Sequence, residues 1–392
     1  MEELDIVVIG GGPAGLRAAE IAASYGRKVT IFDGKPSLGR KFLVAGKGGL
    51  NITHGEVFES FVTRYTGGEI WSSLIGEFDN EALREWCHGL GLETFQASSG
   101  RVYPKALKGA PVLRAWLARL RDMNVDIRPN HHWESLLPDR VLQFSNSAEI
   151  RANAIIFALG GASWPKTGSD GSWLPVFFKL GIACEPLVAS NCGWECEWPS
   201  DVLDQAEGQP IKNICVRAGE KHVLGELLIT SYGLEGGSIY ALGSELRGMA
   251  TPCIEIDFKP TFTAQQLLDK LTGAGGHFFQ KAISAWKLSK AATALLATRV
   301  YQNPEELVLA TKSFAIHLVR PRPIAEAISS AGGVCWSELD ENLMLKNHHG
   351  VFVCGEMIAW DAPTGGYLLQ AAFATGTRVG EAAAQISLIR KH

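Results

Sequence analysis

Three glycines with the spacing Gly10-x-Gly12-x-x-Gly15 follow an apolar, β-branched run near the start of the chain. The run predicts a buried strand and the residues after it predict a helix, which is the strand–turn–helix context that binds dinucleotides. Gly10 permits the tight turn, Gly12 lets a pyrophosphate approach the backbone, and Gly15 lets the helix pack close to the strand. Together with Pro13 and Ala14, this turn presents free N–H groups to the phosphates.

An acidic residue ends the next predicted strand. The apolar run 28–32 is followed by Asp33, about 20 residues after the glycines. We expect the Asp33 carboxylate to accept a hydrogen bond from a ribose hydroxyl and to disfavour a 2′-phosphate. The alternative interpretation is a glycine-rich turn in an ordinary βαβ unit.

Apolar strands that end in glycine are predicted twice more. One carries Ala158 and reaches Gly160, and the other reaches Gly355 near the C-terminus. In a doubly wound sheet, such strands point their carboxyl ends at the ligand crevice. A plain core strand followed by a turn is the alternative for the first of them.

A glycine pair precedes the last predicted helix, which spans 368–389. Gly365, Gly366 and Tyr367 stand at its start. The positive end of this helix would stabilise the anionic reduced form of a flavin at its N1–C2 edge.

Contacts from such distant parts of the chain favour FAD, bound non-covalently, over a nicotinamide cofactor. FAD is long and extended, so separate segments must hold its adenosine, pyrophosphate, ribitol and ring. A plain NAD dehydrogenase, which is an alternative, would need only the N-terminal motif. NAD(P)H can still act as a transient electron donor.

The motifs together resemble those of the BaiN/YhiN-like bacterial flavoproteins, whose members are described as NAD(P)/FAD-dependent oxidoreductases or aminoacetone oxidase family FAD-binding enzymes. The resemblance covers nearly the whole chain. It implies an α/β fold: a discontinuous, Rossmann-like FAD domain of the glutathione-reductase type with an inserted β-rich and small helical domain. It also implies cofactor contacts from Gly39, Arg40, Lys41, Gly46, Gly48, Asn51, Glu356, Asp361 and Tyr367.

The chain departs from the family pattern at two points. After Gly48 the family commonly has Arg-Cys-Asn-x-Thr-Asn, whereas this chain retains Asn51 and Thr53 and lacks the Arg and Cys. Near the ring, Leu368 replaces an Asn. These differences argue against a thiol-dependent mechanism and indicate a subgroup with a different substrate or electron partner.

Lys47, His54 and Tyr367 are the candidate catalytic residues. His54 can carry a proton near neutral pH, and its alternative is an ordinary loop histidine. Lys47 can instead bind flavin or phosphate. We predict an FAD-dependent oxidoreductase that transfers a hydride between a small organic substrate and flavin N5. The alternative is an FAD-binding sensor or partner protein, for example in RNA modification, that turns over no small molecule.

The domain organisation follows from where the dinucleotide signals stop and resume. We predict a discontinuous FAD domain over 1–190 and 343–392. The inserted domain spans 191–342, with barrel-like strands and a helical subdomain at about 262–302.

Composition narrows the possible partners and location. The net charge of −4 favours neither nucleic acid nor a membrane surface as a partner. Eight scattered cysteines indicate a reducing compartment, and the acidic N-terminus argues against a signal peptide, so a cytoplasmic location is expected. Adjacent histidine pairs are poor chelates, so no metal site is predicted.

Overall fold

The structure, a computed structural model, describes residues 1–45, 49–273 and 275–389. The chain divides into two compact units. Unit 1 comprises Met1–Val188 and Ile328–His392, and unit 2 comprises Ala189–Ala327. Each unit has its own hydrophobic core.

The strands follow one another along the chain as β1 (Glu2–Ile9), β2 (Val29–Phe32), β3 (Thr53–His54), β4 (Thr94–Gln96), β5 (Arg101–Pro104), β6 (Asp126–Arg128), β7 (Trp133–Leu137), β8 (Val141–Phe144), β9 (Glu149–Phe157), β10 (Cys184–Ser190), β11 (Trp194–Glu195), β12 (Pro210–Ala218), β13 (Lys221–Thr230), β14 (Gly233–Glu235), β15 (Cys253–Asp257), β16 (Phe314–His317), β17 (Arg320–Pro321), β18 (Ser329–Val334) and β19 (Val351–Val353).

The α-helices are α1 (Pro13–Ser24), α2 (Arg40–Val44), α3 (Phe58–Val62), α4 (Ile70–Glu77), α5 (Asn80–Gly89), α6 (Gly109–Asp122), α7 (Leu174–Lys179), α8 (Ser200–Ala206), α9 (Gly237–Ala241), α10 (Gly243–Gly248), α11 (Ala264–Asp269), α12 (Phe278–Ala285), α13 (Lys290–Leu296), α14 (Pro304–Lys312) and α15 (Tyr367–Ile389). None of these helices, within the described residues, is both long and apolar enough to cross a membrane.

Unit 1 is built on a mixed sheet with the strand order β6-β2-β1-β9-β8-β7. The strands β6, β2, β1 and β9 pair in parallel with their neighbours in this order. The long strand β9 pairs with β8 along its first part and with β19 along its last part. The C-terminal strand therefore joins the N-terminal sheet, as expected for a discontinuous domain.

The chain re-enters unit 1 at Ile328, earlier than the predicted boundary at 343. The physical reason is the strand β18, which lies beside β10 in a two-stranded sheet. Directly after β18, the backbone N–H of Cys335 donates to the carbonyl of Ala183 at 3.0 Å. Residues 328–342 carry no dinucleotide signal, and for that reason the sequence predicts them to be part of the inserted domain.

Unit 2 contains an antiparallel sheet with the order β16-β15-β12-β13-β14-β11-β17. In the described part of the chain, β16 and β17 do not pair with each other, so the sheet is open where we expected a barrel-like arrangement. The strand β17 is only two residues long, and Pro321 has no N–H to donate to a further strand. The helices α11 to α14 form a helical group that extends beyond the predicted 262–302.

Candidate cofactor site

The carboxyl ends of four parallel strands of unit 1 lie level with one another. Ile9 pairs in register with Phe32 and with Phe157, and Phe157 pairs with Val353. The residues that follow these strands therefore lie side by side at one edge of the sheet. This edge, which includes Gly10, Asp33, Ala158 and Gly355, is where ligands bind in doubly wound sheets.

The predicted glycine roles can be compared with the space around each residue. A Cβ on Gly10 would lie 2.3 Å from the carbonyl oxygen of Ala158, and φ of Gly10 is +108°. A Cβ on Gly15 would lie 2.0 Å from the carbonyl oxygen of Gly10. Gly12 differs, because no atom of the described residues 1–45, 49–273 and 275–389 lies within 4 Å of its hypothetical Cβ. Gly10 and Gly15 thus serve the protein's own packing, and Gly12 faces open space at the N-terminus of α1.

Asp33 holds the loop beside the glycine turn. Its Oδ2 accepts from the N–H of Gly11, and its Oδ1 accepts from the N–H of Lys35, both at 2.8 Å. Burial raises the pKa of this carboxyl, and the two amide hydrogen bonds only partly offset that effect. Each carboxylate oxygen retains a second lone pair, so the predicted contact to a ribose hydroxyl remains available.

Among the residues that the structure describes, two buried polar atoms near this edge have no hydrogen-bond partner: Nε of Arg40 and Oγ of Ser169. Ser169 is 7% exposed, and its hydroxyl lies 3.0 Å from the hypothetical Cβ of Gly160. A buried polar atom without a hydrogen-bond partner lowers the stability of the folded protein. A polar ligand that bound to these two atoms would remove that loss. Together with the open position at Gly12, they fit the phosphates and hydroxyls of FAD.

Lys41 and Glu356, both predicted to contact the cofactor, form an ion pair. The Nζ atom of Lys41 lies 2.7 Å from Oε2 of Glu356 and donates to Oγ of Ser163 at 2.6 Å. The other carboxylate oxygen accepts from the N–H of Ser330 at 2.9 Å. These contacts tie four distant segments together beside the site and pair the ammonium group of Lys41 with a carboxylate.

The helices α1 and α15 pack in parallel through small residues. Ala14 faces Gly376, and Ala18 faces Gly380, so both helices point their N-termini in the same direction. Ala14 is the second residue of α1, whereas Gly376 is the tenth of α15. The start of α15 therefore lies eight residues, or about 12 Å, beyond the start of α1. Two positive helix ends staggered in this way suit a long ligand with two electron-rich parts.

The loop before α15 is tightly packed. Both Gly365 and Gly366 have positive φ, and a Cβ on Gly366 would lie 2.4 Å from the backbone of Thr53. The hydroxyl of Thr53 donates to Oε1 of Gln370 at 2.7 Å. These contacts place β3, with His54, directly against the first turn of α15.

Tyr367 and His54 are brought together, ring on ring. Their ring centroids lie 5.3 Å apart with an interplanar angle of 20°. The phenol of Tyr367 donates to Oε1 of Glu56 at 2.6 Å. Burial, followed by the hydrogen bond and charge of Glu56, raises the pKa of Tyr367, so it remains a neutral phenol and a weak acid.

Both ring nitrogens of His54 are engaged with the backbone. Nδ1 lies 3.2 Å from the N–H of Glu56, and Nε2 lies 3.1 Å from the carbonyl oxygen of Ser99. An acceptor at Nδ1 and a donor at Nε2 define the neutral Nε2–H tautomer. Both ring nitrogens of His54 therefore have a backbone partner within the protein.

Other predicted site residues take backbone or turn positions. Asn51 lies between Leu50 and Ile52, whose side chains are buried, and Asn51 itself is half-buried. Gly39 has φ of +67°, and its N–H donates to the carbonyl of Gly11. Asp361 exchanges two hydrogen bonds with Thr66. The predicted residues Gly46, Lys47 and Gly48 lie outside the described residues.

Sequence reasoning missed Glu56, Arg64, Ser163 and Ser169 as site neighbours. Ser169 could have been found from the sequence, because it belongs to a glycine-rich segment. Glu56 and Arg64 lie in no motif. Within the described residues no cluster of His, Cys, Asp and Glu could hold a metal ion.

The sheet order, the staggered helices and the sheet-bearing insertion define an α/β flavoprotein with a discontinuous Rossmann-like domain. The model of the HI0933-like protein Rossmann domain matches residues 4–382, and the chain belongs to that family. Both the predicted fold class and the family resemblance are confirmed.

Two curated relatives and one solved structure are similar to this chain over much of its length. The 3-dehydro-bile acid delta(4,6)-reductase of Clostridium scindens is 28% identical over 97% of this chain and 99% of the relative. The ribosomal RNA dihydrouridine synthase of Escherichia coli is 39% identical over 62% of this chain and 61% of the relative. The 3-ketosteroid-delta4-(5alpha)-dehydrogenase of Rhodococcus jostii RHA1 has a TM-score of 0.53 at 14% identity, over 98% of this chain and 97% of that one. The structural match shows the shared fold. Taken with the family, these findings make the chain an FAD-dependent oxidoreductase.

Proposed function

We propose that this enzyme reduces a carbon–carbon double bond that is conjugated to a carbonyl group in a small cyclic molecule. The observation that carries the cofactor part of the proposal is the stagger of α1 and α15, which would provide one positive helix end for a pyrophosphate and a second for a flavin ring. When bound, FAD would supply the hydride through N5. The protein's part is to hold the cofactor extended and to orient its ring.

The names of the relatives support this choice of substrate. One relative is named as a reductase of 3-dehydro-bile acids at delta(4,6), and the other as a synthase of dihydrouridine. Both names describe saturation of a ring double bond that is conjugated to a carbonyl. A shared bond type in two such different molecules supports a common reaction more than a common substrate.

The side chains at the start of α15 support a role in positioning. His54 and Tyr367 both use their polar hydrogens within the protein. We propose that they form a wall of the ring site and that the proton needed to complete the reduction comes from water. Lys47 remains a candidate for substrate contact.

We propose NAD(P)H as the electron donor, binding transiently. The chain has one Gly-x-Gly-x-x-Gly motif in a strand–turn–helix context, which the cofactor would occupy. A transient donor needs no second domain of that kind.

The experiment is an anaerobic turnover assay with the FAD-loaded protein. NADH or NADPH is added, followed by a simple cyclic enone, a 3-oxo-Δ4,6 steroid or uridine, each with its saturated analogue as control. The proposal expects reduction of the flavin by a nicotinamide and a product two hydrogens heavier from an unsaturated ring. If the reduced flavin persists with every unsaturated ring, the proposed substrate class is wrong.

A second candidate function is the reduction of uracil bases in RNA, favoured by the 39% identity to the Escherichia coli relative. The net charge of −4 argues against it, since RNA binding usually relies on basic surface. Dihydrouridine formed in ribosomal RNA, but not from free uridine, would support this candidate. A flavin that no donor reduces would instead favour the role of a sensor or partner protein.

A further inference from the structure

Glu56, which lies in no sequence motif, contacts both aromatic side chains at the start of α15. Its backbone N–H donates to Nδ1 of His54 at 3.2 Å, and its Oε1 accepts from the phenol of Tyr367 at 2.6 Å. Its side chain is 14% exposed. One residue thus sets the orientation of two neighbouring rings.

Arg64 fixes the carboxylate of Glu56 in a bidentate pair. The Nε atom of Arg64 donates to Oε1 at 2.9 Å, and Nη2 donates to Oε2 at 2.7 Å. A bidentate pair between a guanidinium group and a carboxylate fixes the relative orientation of the two groups and also pairs their opposite charges. Burial alone would raise the pKa of Glu56, but the hydrogen bonds from Arg64 and Tyr367 outweigh it and hold the pKa below its usual value.

Tyr367 is held from three sides. Its phenol is fixed by Glu56, its ring stacks on His54, and its carbonyl oxygen accepts from the hydroxyl of Tyr65 at 2.9 Å. Tyr367 is also the first residue of α15. Its position therefore determines where the positive end of that helix points.

We propose that Glu56 is a positioning residue for the flavin ring of FAD and that it acts through Tyr367. The inference rests on the proposed function for the identity of the cofactor. A purely structural role for Glu56 would change stability without changing the ring environment, and this difference makes the two roles separable.

The first test is a double-mutant cycle on FAD affinity. Glu56→Ala and Tyr367→Phe each remove the same hydrogen bond, so each is expected to raise the dissociation constant of FAD about three- to tenfold. If Glu56 acts through Tyr367, the dissociation constant of FAD for the double variant should not exceed that of the single variant that binds FAD less tightly. Additive losses, or no loss in either variant, would overturn the proposal. Glu59→Ala, at an exposed position on α3, is the matched control.

The second test does not depend on FAD. The ionisation of Tyr367 is followed by NMR of protein labelled at tyrosine Cζ, in the wild type and in Glu56→Gln. The amide can still accept the hydrogen bond, but it lacks the charge that opposes a phenolate, so Tyr367 should ionise at lower pH in the variant. An unchanged titration overturns the proposal. If the wild type binds no FAD while this titration behaves as expected, the proposed function has failed and the coupling between Glu56 and Tyr367 stands.

Discussion

Gly376 approaches Ala14 so closely that a Cβ on Gly376 would lie 2.5 Å from the carbonyl oxygen of Ala14. This contact fixes the relative position of α1 and α15, whose N-termini are expected to hold the pyrophosphate and the flavin ring of the cofactor. A lateral shift of either helix would misalign both of these contacts at once. The glycine therefore connects helix packing to cofactor geometry.

Replacing Gly376 should destabilise the fold. Gly376→Ala gains about 1 kcal/mol in helix propensity, but the new Cβ must push against a backbone oxygen. We expect a net loss of about 1–3 kcal/mol in the free energy of unfolding, measured by urea denaturation. Gly248→Ala, where no atom lies within 4 Å of the Cβ, is the control. Equal stability of the two variants would refute the close packing.

Gly12→Val should lose FAD while the protein remains folded. The φ of Gly12 is −82°, and its hypothetical Cβ meets no atom within 4 Å, so the protein tolerates a side chain there. The side chain would occupy the space expected for the pyrophosphate. We expect at least about a tenfold loss of FAD affinity, with about 1 kcal/mol lost from the apoprotein because valine is a poor N-cap.

The readout for Gly12→Val is FAD titration alongside thermal denaturation of the apoprotein. Gly248→Val tests for a general effect of a β-branched side chain. Stoichiometric retention of FAD by Gly12→Val would show that the pyrophosphate lies elsewhere.

Ser169→Ala should lower the affinity for FAD without lowering the stability of the apoprotein. The hydroxyl has no partner in the described part of the chain, so its removal is expected to leave the apoprotein equally stable or slightly more stable. If the hydroxyl bonds to FAD, affinity should fall about three- to tenfold. Isothermal titration with FAD measures this effect, and Ser172→Ala at an exposed position is the control. A loss of apoprotein stability without a loss of affinity would contradict the assignment.

The contribution of Glu56 to stability should depend on pH. The pKa of Glu56 in the folded protein lies below its usual value near 4.5, so the ionised carboxylate contributes stability above about pH 4.5. That contribution is lost as pH falls through the folded pKa. Urea denaturation of the wild type and of Glu56→Gln should show a stability difference that is largest near neutral pH and narrows in acid. A difference that does not vary with pH would contradict the ion pair with Arg64.

Local sequence was sufficient to predict the strand–turn–helix unit at the glycine motif and the acidic residue that ends the next strand. The turn around Gly10 and the strand that ends at Asp33 lie within a short span, where spacing and periodicity directly report the strand–turn–helix unit. The fold class followed from these signals and from the family resemblance. The role of each site residue stays a prediction until the cofactor is measured.

Long-range pairs could not be predicted from the sequence. Lys41 and Glu356 are 315 positions apart, and Glu56 and Tyr367 are 311 apart. No periodic pattern encodes such contacts, because they depend on how β19 and α15 return to the N-terminal sheet. For the same reason the sequence could not show that both ring nitrogens of His54 contact the backbone, and the role of His54 as a proton carrier stays a prediction.

The most direct test of this account is the flavin content of the purified chain. The protein is purified, reconstituted with FAD or FMN, separated from free cofactor and examined by visible absorption and by chromatography of the released cofactor. The staggered helix ends predict about one FAD per chain and no stable complex with FMN, which lacks the pyrophosphate and adenosine. A chain that shows no flavin absorption after reconstitution with FAD, or that retains FMN equally well, would contradict the central claim.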